Sequence, residues 1–130
     1  MFRPMSWLRR ALYAQIVWVM LASGYNFLSL LAISNGDAAF AGDAATTQSA
    51  TVAVVIFGAV TLLGLFGRIT IYKVLSPIVA IVLFVGGVLK HISLGPETYA
   101  SEAHWIVAIL INGFGVLAFA MGTYSSFRDA

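Results

Sequence analysis

The sequence predicts an all-α fold, a polytopic membrane protein whose four transmembrane helices form an antiparallel bundle in a single domain, residues 1–130. Of the 130 residues, 61% are hydrophobic and 9% are charged. Four apolar stretches occupy most of the chain, and each is close to the roughly 20 residues that a helix needs to cross a hydrocarbon core of about 30 Å. Because lipid offers no hydrogen-bond partners to the backbone, such stretches must be helices.

The first two predicted helices are separated by a long polar connection. The first covers residues 11–33 and ends at an Asn-Gly-Asp turn signal, residues 35–37, since glycine tolerates the positive φ on which many helices end. The connection, residues 34–49, is rich in small and polar side chains and lacks an amphipathic period. The second predicted helix covers residues 50–67.

The third and fourth predicted helices follow shorter connections. Residues 68–72 are too few to let the chain turn widely, so the second and third helices must form an antiparallel hairpin. The third helix covers residues 71–92, with Pro77 expected in its first turn, where a missing N–H costs least. A Gly-Pro-containing connection, residues 93–103, leads to the fourth helix, residues 105–124.

The basic residues predict the orientation. Of the seven Lys and Arg residues, Lys90 alone falls on the side of the two longer connections, and the others fall on the opposite side: Arg3, Arg9, Arg10, Arg68, Lys73 and Arg128. Basic residues concentrate on the cytoplasmic side of membrane proteins. Both termini are therefore expected to be cytoplasmic (N-in, C-in), and the membrane is expected to be a bacterial inner membrane.

Composition excludes several classes of function. The net charge is only +2, and the basic residues lie at helix ends, so we exclude nucleic-acid binding. The chain has no cysteine, which excludes disulfides and thiolate chemistry. A cleaved signal peptide ending near residues 39–41 is disfavoured, since the apolar run of about two dozen residues exceeds the roughly 7–15 of a signal core.

Small and polar residues recur at helical spacing on three of the helices. The longest stripe of small residues lies on the fourth helix and comprises Ala108, Gly115, Ala118 and Gly122. The first helix carries a mixed face of Ala11, Gln15, Ala22, Asn26 and Ser29. In lipid, such residues allow close backbone approach and hydrogen bonds between helices. These faces are expected to hold the bundle together or to hold it to a partner.

A polar cluster is also predicted near the external ends of the helices. Asn26 and Asn112 should both lie about 10–12 Å below the outer surface. The candidate ligand-binding set, opening outward, is Tyr25, Asn26, His91, Glu102, His104 and Asn112. It could hold a quinone head group or a lipid, so quinone stays open as a cofactor. We expect neither haem nor a metal, because histidines at an aqueous boundary are usually solvated.

No charged residue is predicted at mid-bilayer, since Lys73 and Lys90 can reach opposite interfaces. Proton- or cation-coupled transporters usually keep an ionisable group inside the membrane. The sequence thus argues against a pump or antiporter and offers no set of catalytic residues.

Three short segments resemble one family. LLGLFGR at residues 62–68 is similar to the LLGLFTR-type turn of DoxX-like membrane proteins. GTYS at residues 122–125 resembles their closing G-x-Y-S element, and SGYN at residues 23–26 resembles the S-G-x-x segment of their first helix. The longer first connection departs from their pattern, and the tail lacks a proline and a second glycine. The resemblance implies a four-helix membrane protein, in some cases a small subunit of a quinone-linked redox complex.

Three functions remain open at this point. The favoured hypothesis is a non-catalytic accessory or assembly subunit of a membrane complex, a redox complex among them. The alternatives are a quinone-linked redox subunit that uses the outward polar cluster, and a small homo-oligomeric transporter or channel. The expected partners are the lipid bilayer and either another membrane subunit or further copies of this chain.

Overall fold

The computed structural model describes residues 6–128, and within that range the chain is helical, without β-strands. The four helices are α1 (Trp7–Ser34), α2 (Ala44–Leu65), α3 (Ile69–Leu94) and α4 (Glu102–Arg128), each long and apolar enough to cross a membrane. A short 3₁₀ turn, Pro96–Thr98, lies between α3 and α4. The structure confirms the predicted all-α membrane fold. Arg3 and Asp129 lie outside the described residues.

Polar side chains cap α1, α2 and α4, and these three helices begin earlier than hydropathy predicts. At α2 the carboxylate of Asp43 accepts a hydrogen bond from the Thr46 backbone N–H at 2.8 Å, so the helix begins at Ala44 rather than Ala50. That contact lowers the pKa of the Asp43 carboxyl. At α4 the Ser101 hydroxyl accepts from the His104 backbone N–H at 3.2 Å. Such caps satisfy N–H groups that the first turn leaves without partners.

The bundle is antiparallel, as contacts between helix ends show. Tyr25, near the end of α1, donates to the carbonyl of His104 at the start of α4. Ser29 and Thr47 pair their hydroxyls between the end of α1 and the start of α2. Each helix packs mainly on its two neighbours in a ring, α1 against α2 and α4, and α3 against α2 and α4.

The two ends of the bundle differ. We call the end that carries the connections 35–43 and 95–101 the two-loop end, and the opposite end, with the tight α2–α3 turn, the terminal end. At the tight turn Gly67 adopts a φ of 80°, a conformation that favours glycine. At the two-loop end, Ala41 and Tyr99 form an isolated antiparallel bridge between the two connections.

Helix α3 changes character along its length. Pro77 lies inside it rather than in its first turn, because the helix begins at Ile69. From Leu83 to Leu89 the backbone is π-helical. Helix α2 packs against Ile69–Val82 but makes at most marginal contact with Leu83–Leu89. The two helices therefore diverge toward the two-loop end.

Large apolar side chains are exposed over the surface, unlike in a water-soluble domain, and several polar side chains are buried among the apolar residues of the interior. Exposed side chains include Met20, Phe66 and Leu117. The buried polar residues are Gln15, Asn26, Ser29, Thr47, Thr61, Ser76, Ser125 and Ser126. With four candidate spans, this distribution identifies an integral membrane protein in contact with lipid.

Candidate ligand-binding cavity

The terminal half of the bundle contains a closed hydrogen-bond network centred on Gln15. This side chain is 0% exposed, and its Nε2 donates to the Tyr72 hydroxyl at 2.6 Å and to the Ala118 carbonyl at 3.1 Å. Its Oε1 accepts from the Thr61 hydroxyl at 2.8 Å. Because α2, α3 and α4 each supply a partner, the amide on α1 ties the bundle together, and both of its N–H groups are used within the bundle.

Glycines on α4 make this packing possible. A Cβ added at Gly122 would overlap the Tyr72 hydroxyl and lie 2.5 Å from Gln15 Nε2. A Cβ added at Gly115 would lie 2.5 Å from Nε1 of Trp18. The predicted stripe of Ala108, Gly115, Ala118 and Gly122 is buried along its length. The chain's own helices α1 and α3 therefore cover the two glycines of the stripe.

The two-loop half contains a cavity of about 670 Å³. Apolar side chains form much of its wall, including Val54, Phe57, Leu83 and Ile111. Trp18 lies at its inner limit and is 1% exposed. The indole N–H has no partner among the described residues, but it packs against Gly115 and is shielded from the cavity. A lipid-soluble molecule could fit in a space of this size and lining.

Asn26 is the polar group that most needs a partner in this cavity. Its side chain is 9% exposed and lines the cavity. Its amide makes no hydrogen bond with any described residue, and both amide atoms keep some solvent-accessible surface. A buried amide in a membrane protein usually finds a partner. The Asn26 amide thus faces open space with a donor and an acceptor free.

Asn112 faces the same cavity from α4. Its Nδ2 donates to the carbonyl of Gly87 at 3.1 Å, within the π-helical segment of α3. A Cβ at Gly87 would lie 3.1 Å from the Asn112 Cβ, so glycine lets the two helices approach. This contact leaves the Asn112 carbonyl oxygen without a partner among residues 6–128.

His91 lies near the mouth of the cavity and is held from two directions. Its Nδ1 pairs with the Tyr99 hydroxyl, and its backbone carbonyl accepts from the Trp105 indole N–H at 2.7 Å. Burial raises the pKa of the Tyr99 hydroxyl, so this group is protonated at neutral pH and can donate to Nδ1. A neutral imidazole would then carry its proton on Nε2.

Four of the six predicted site residues line this one cavity: Tyr25, Asn26, His91 and Asn112. Glu102 and His104 do not. Glu102 is exposed in the first turn of α4, and His104 Nδ1 lies 2.6 Å from the Ser101 hydroxyl while its ring packs on Phe40 at 4.3 Å. Among the described residues, no group of three or more His, Cys, Asp or Glu could hold a metal ion.

Sequence reasoning missed Trp18, Tyr72 and Thr61. Trp18 lies three residues after Gln15 and four before Ala22, so the same helical spacing would have placed it on the buried face of α1. Tyr72 lies near a predicted helix end, a position typical of an interfacial aromatic side chain, but it is 0% exposed. Only the structure shows that both Tyr72 and Thr61 bond to Gln15.

Comparisons with protein-family models, curated proteins and solved structures find no match to this chain.

Proposed function

We propose that this membrane protein binds a lipid-soluble molecule with a hydrogen-bonding head in the cavity of its two-loop half. The observation that carries the proposal is Asn26, a buried amide that lines the cavity and has no hydrogen-bond partner among residues 6–128. A bound head group would supply the hydrogen bonds that the fold leaves unmade, and leaving such a group unpaired costs about 1–3 kcal/mol.

The lining indicates the chemistry of the ligand. The deeper polar groups are uncharged: the Asn26 amide, which both donates and accepts, and the free carbonyl oxygen of Asn112. Apolar side chains surround them, so the ligand should carry a neutral carbonyl- or hydroxyl-bearing head and an apolar tail. A quinone and the ester region of a membrane lipid both have this chemistry.

The accessory-subunit hypothesis gains no specific support from the described residues. It rested in part on a small-residue stripe that could meet a partner, and Gly115 and Gly122 of that stripe meet Trp18, Tyr72 and Gln15 of the same chain. The resemblance to DoxX-like proteins is itself a proposal. It is compatible with a binding protein that holds a quinone for a redox partner.

Fluorescence of Trp18 can test the binding. In a variant carrying Trp7→Phe and Trp105→Phe, Trp18 is the one tryptophan left and reports from the inner limit of the cavity. In lipid nanodiscs, one arm titrates decylubiquinone and the other titrates phosphatidylcholine brominated midway along one acyl chain into the unlabelled lipid. Saturable quenching by the quinone at low mole fraction indicates a quinone site, and saturable quenching by the brominated lipid alone indicates a lipid site.

Asn26→Leu provides the matched test of the head-group contact. It should raise the Kd obtained from the saturable quenching about tenfold, which corresponds to the loss of one good hydrogen bond. Ser23→Leu, on the lipid-facing side of the same helix and outside the cavity, should leave it unchanged. No saturable quenching by either compound, or equal Kd in the two variants, would contradict the proposal.

We also propose that the two-loop end faces the outside and both termini face the cytoplasm. The charge distribution supports this orientation, since Arg9, Arg10, Arg68 and Lys73 lie toward the terminal end. Because the chain has no native cysteine, Ala44→Cys and Thr98→Cys should react in intact cells with a membrane-impermeant maleimide, whereas Arg68→Cys should react only after permeabilisation. The reverse pattern would overturn the orientation.

A further inference from the structure

We propose that the ligand enters the cavity sideways from the lipid, through an opening between α2 and the π-helical segment of α3. This inference rests on the proposed function. It concerns the route by which a molecule reaches Asn26 from the leaflet next to the two-loop end.

The divergence of α2 and α3 creates the opening. Ser49 and Ala53 on α2 line the cavity on one side, and Val82 and Gly86 on α3 line it on the other. Ser49, Val82 and Gly86 are also exposed, and Ala53 is half-buried. We call these four residues, which lie where α2 and α3 diverge, the lateral opening.

The other sides of the cavity are covered. Helix α4 packs against both α1 and the π-helical segment, and Asn112 is bonded to Gly87 across the second of these contacts. At the two-loop end the connections are joined by two backbone hydrogen bonds, from Gly42 N–H to the Thr98 carbonyl at 2.9 Å and from Ala100 N–H to the Phe40 carbonyl at 3.2 Å. These two hydrogen bonds hold the connections together at this end of the cavity.

The composition of the lateral opening suits the passage of an apolar chain. Gly86 has no side chain, and a Cβ added there would meet no atom within 4 Å. The α3 side of the opening is therefore clear at this position. Ala53 faces it with a single methyl group. The π-helical geometry is less stable than an α-helix and recurs at functional sites, and here it lies along the edge that a ligand must pass.

Filling the lateral opening should slow entry without disturbing the bundle. Gly86→Phe adds a large side chain at a position where its Cβ would meet no atom within 4 Å. In the Trp18-only protein, stopped-flow mixing of nanodiscs with vesicles that contain decylubiquinone should show association slowed at least about tenfold. If the binding assay identifies a lipid site instead, the same measurement uses vesicles of the brominated phosphatidylcholine. Ala53→Phe, on the opposite edge, should have the same effect.

Gly24→Phe is the matched control, because Gly24 also has nothing within 4 Å of an added Cβ but lies outside the cavity lining. It should leave the association rate unchanged. Equal rates for Gly86→Phe and Gly24→Phe, or a weaker Kd for Gly86→Phe with an unchanged association rate, would overturn the lateral route. Loss of binding in the unfilled Trp18-only protein would instead contradict the proposed function itself.

Discussion

The two halves of the bundle differ in the hydrogen-bond partners that they give to a buried amide side chain. Gln15 and Asn26 lie on one face of α1, and both are amides buried in an apolar protein. Gln15 has partners for its oxygen and for both N–H groups, supplied by three other helices. Asn26 has none among the described residues and faces a cavity.

The terminal half holds the bundle together, whereas the two-loop half contains the cavity for which we propose a ligand. In the terminal half, glycines at 115 and 122 let bulky and polar side chains pack closely, which gives the bundle a dense polar core. In the two-loop half, α2 and α3 diverge, and Asn26 and Asn112 line the cavity there. A membrane protein lacks a hydrophobic force between its helices, so a bundle with a cavity at one end needs strong packing at the other.

The largest expected difference comes from removing the two amides in turn. Gln15→Met should lower the free energy of unfolding by about 2–3 kcal/mol, because it leaves Thr61, Tyr72 and the Ala118 carbonyl without their partner. Asn26→Leu should change stability by less than about 0.5 kcal/mol, or raise it, because it breaks no bond within residues 6–128. Thermal or chemical unfolding in detergent measures both. Equal destabilisation by the two variants would remove the contrast between the halves.

A single methyl group tests the packing of the terminal half. Gly122→Ala should cost about 1–3 kcal/mol, because the new Cβ overlaps the Tyr72 hydroxyl and crowds Gln15. Gly113→Ala, on the same helix, meets no atom within 4 Å and should be neutral or slightly stabilising, since alanine favours helix. The unfolding midpoints of the two proteins give the comparison. A stable Gly122→Ala variant would show that the terminal half is looser than the structure indicates.

The smallest expected effect isolates one hydrogen bond. Thr61→Val keeps the shape of the side chain and removes the donor to Gln15, so it should cost about 0.6–1.5 kcal/mol, near the values measured between membrane helices. Thr51→Val removes a hydroxyl that bonds only to the Thr47 carbonyl of its own helix and should cost less. If both variants unfold at the same temperature, the Gln15 network contributes little beyond its packing.

Much of the fold could be predicted because it depends on length and composition. Apolar runs near 20 residues specify helices in lipid, and spacings of three and four residues placed Gln15 and Asn26 on one face. The start of α2 could not be predicted from hydropathy, since residues 44–49 are polar and their helix depends on the Asp43 cap. The π-helical segment is also invisible in sequence, because Leu83–Leu89 has the composition of an ordinary membrane helix.

The candidate-site residues that could be placed from the sequence are those whose depth in the membrane follows from their position along a helix. Asn26 and Asn112 lie at similar depths on neighbouring helices, and the structure places both on the cavity wall. Glu102 and His104 were included because they lie at the external end of the fourth helix, but Glu102 is exposed and the His104 ring contacts Ser101 and Phe40 outside the cavity. That any of these residues binds a ligand stays a prediction.

The Gln15 network also constrains how the chain is made. Helix α1 is synthesised first, and the Gln15 amide has no hydrogen-bond partner on its own helix. Its partners all lie on helices that are made later. Thr61 becomes available with α2 and Tyr72 with α3, and the Ala118 carbonyl only when α4 has entered the membrane. Each insertion step thus satisfies one more group of a single side chain. A nascent chain stopped before α4 would lack the Ala118 carbonyl and would leave one N–H of Gln15 without that partner in the bilayer.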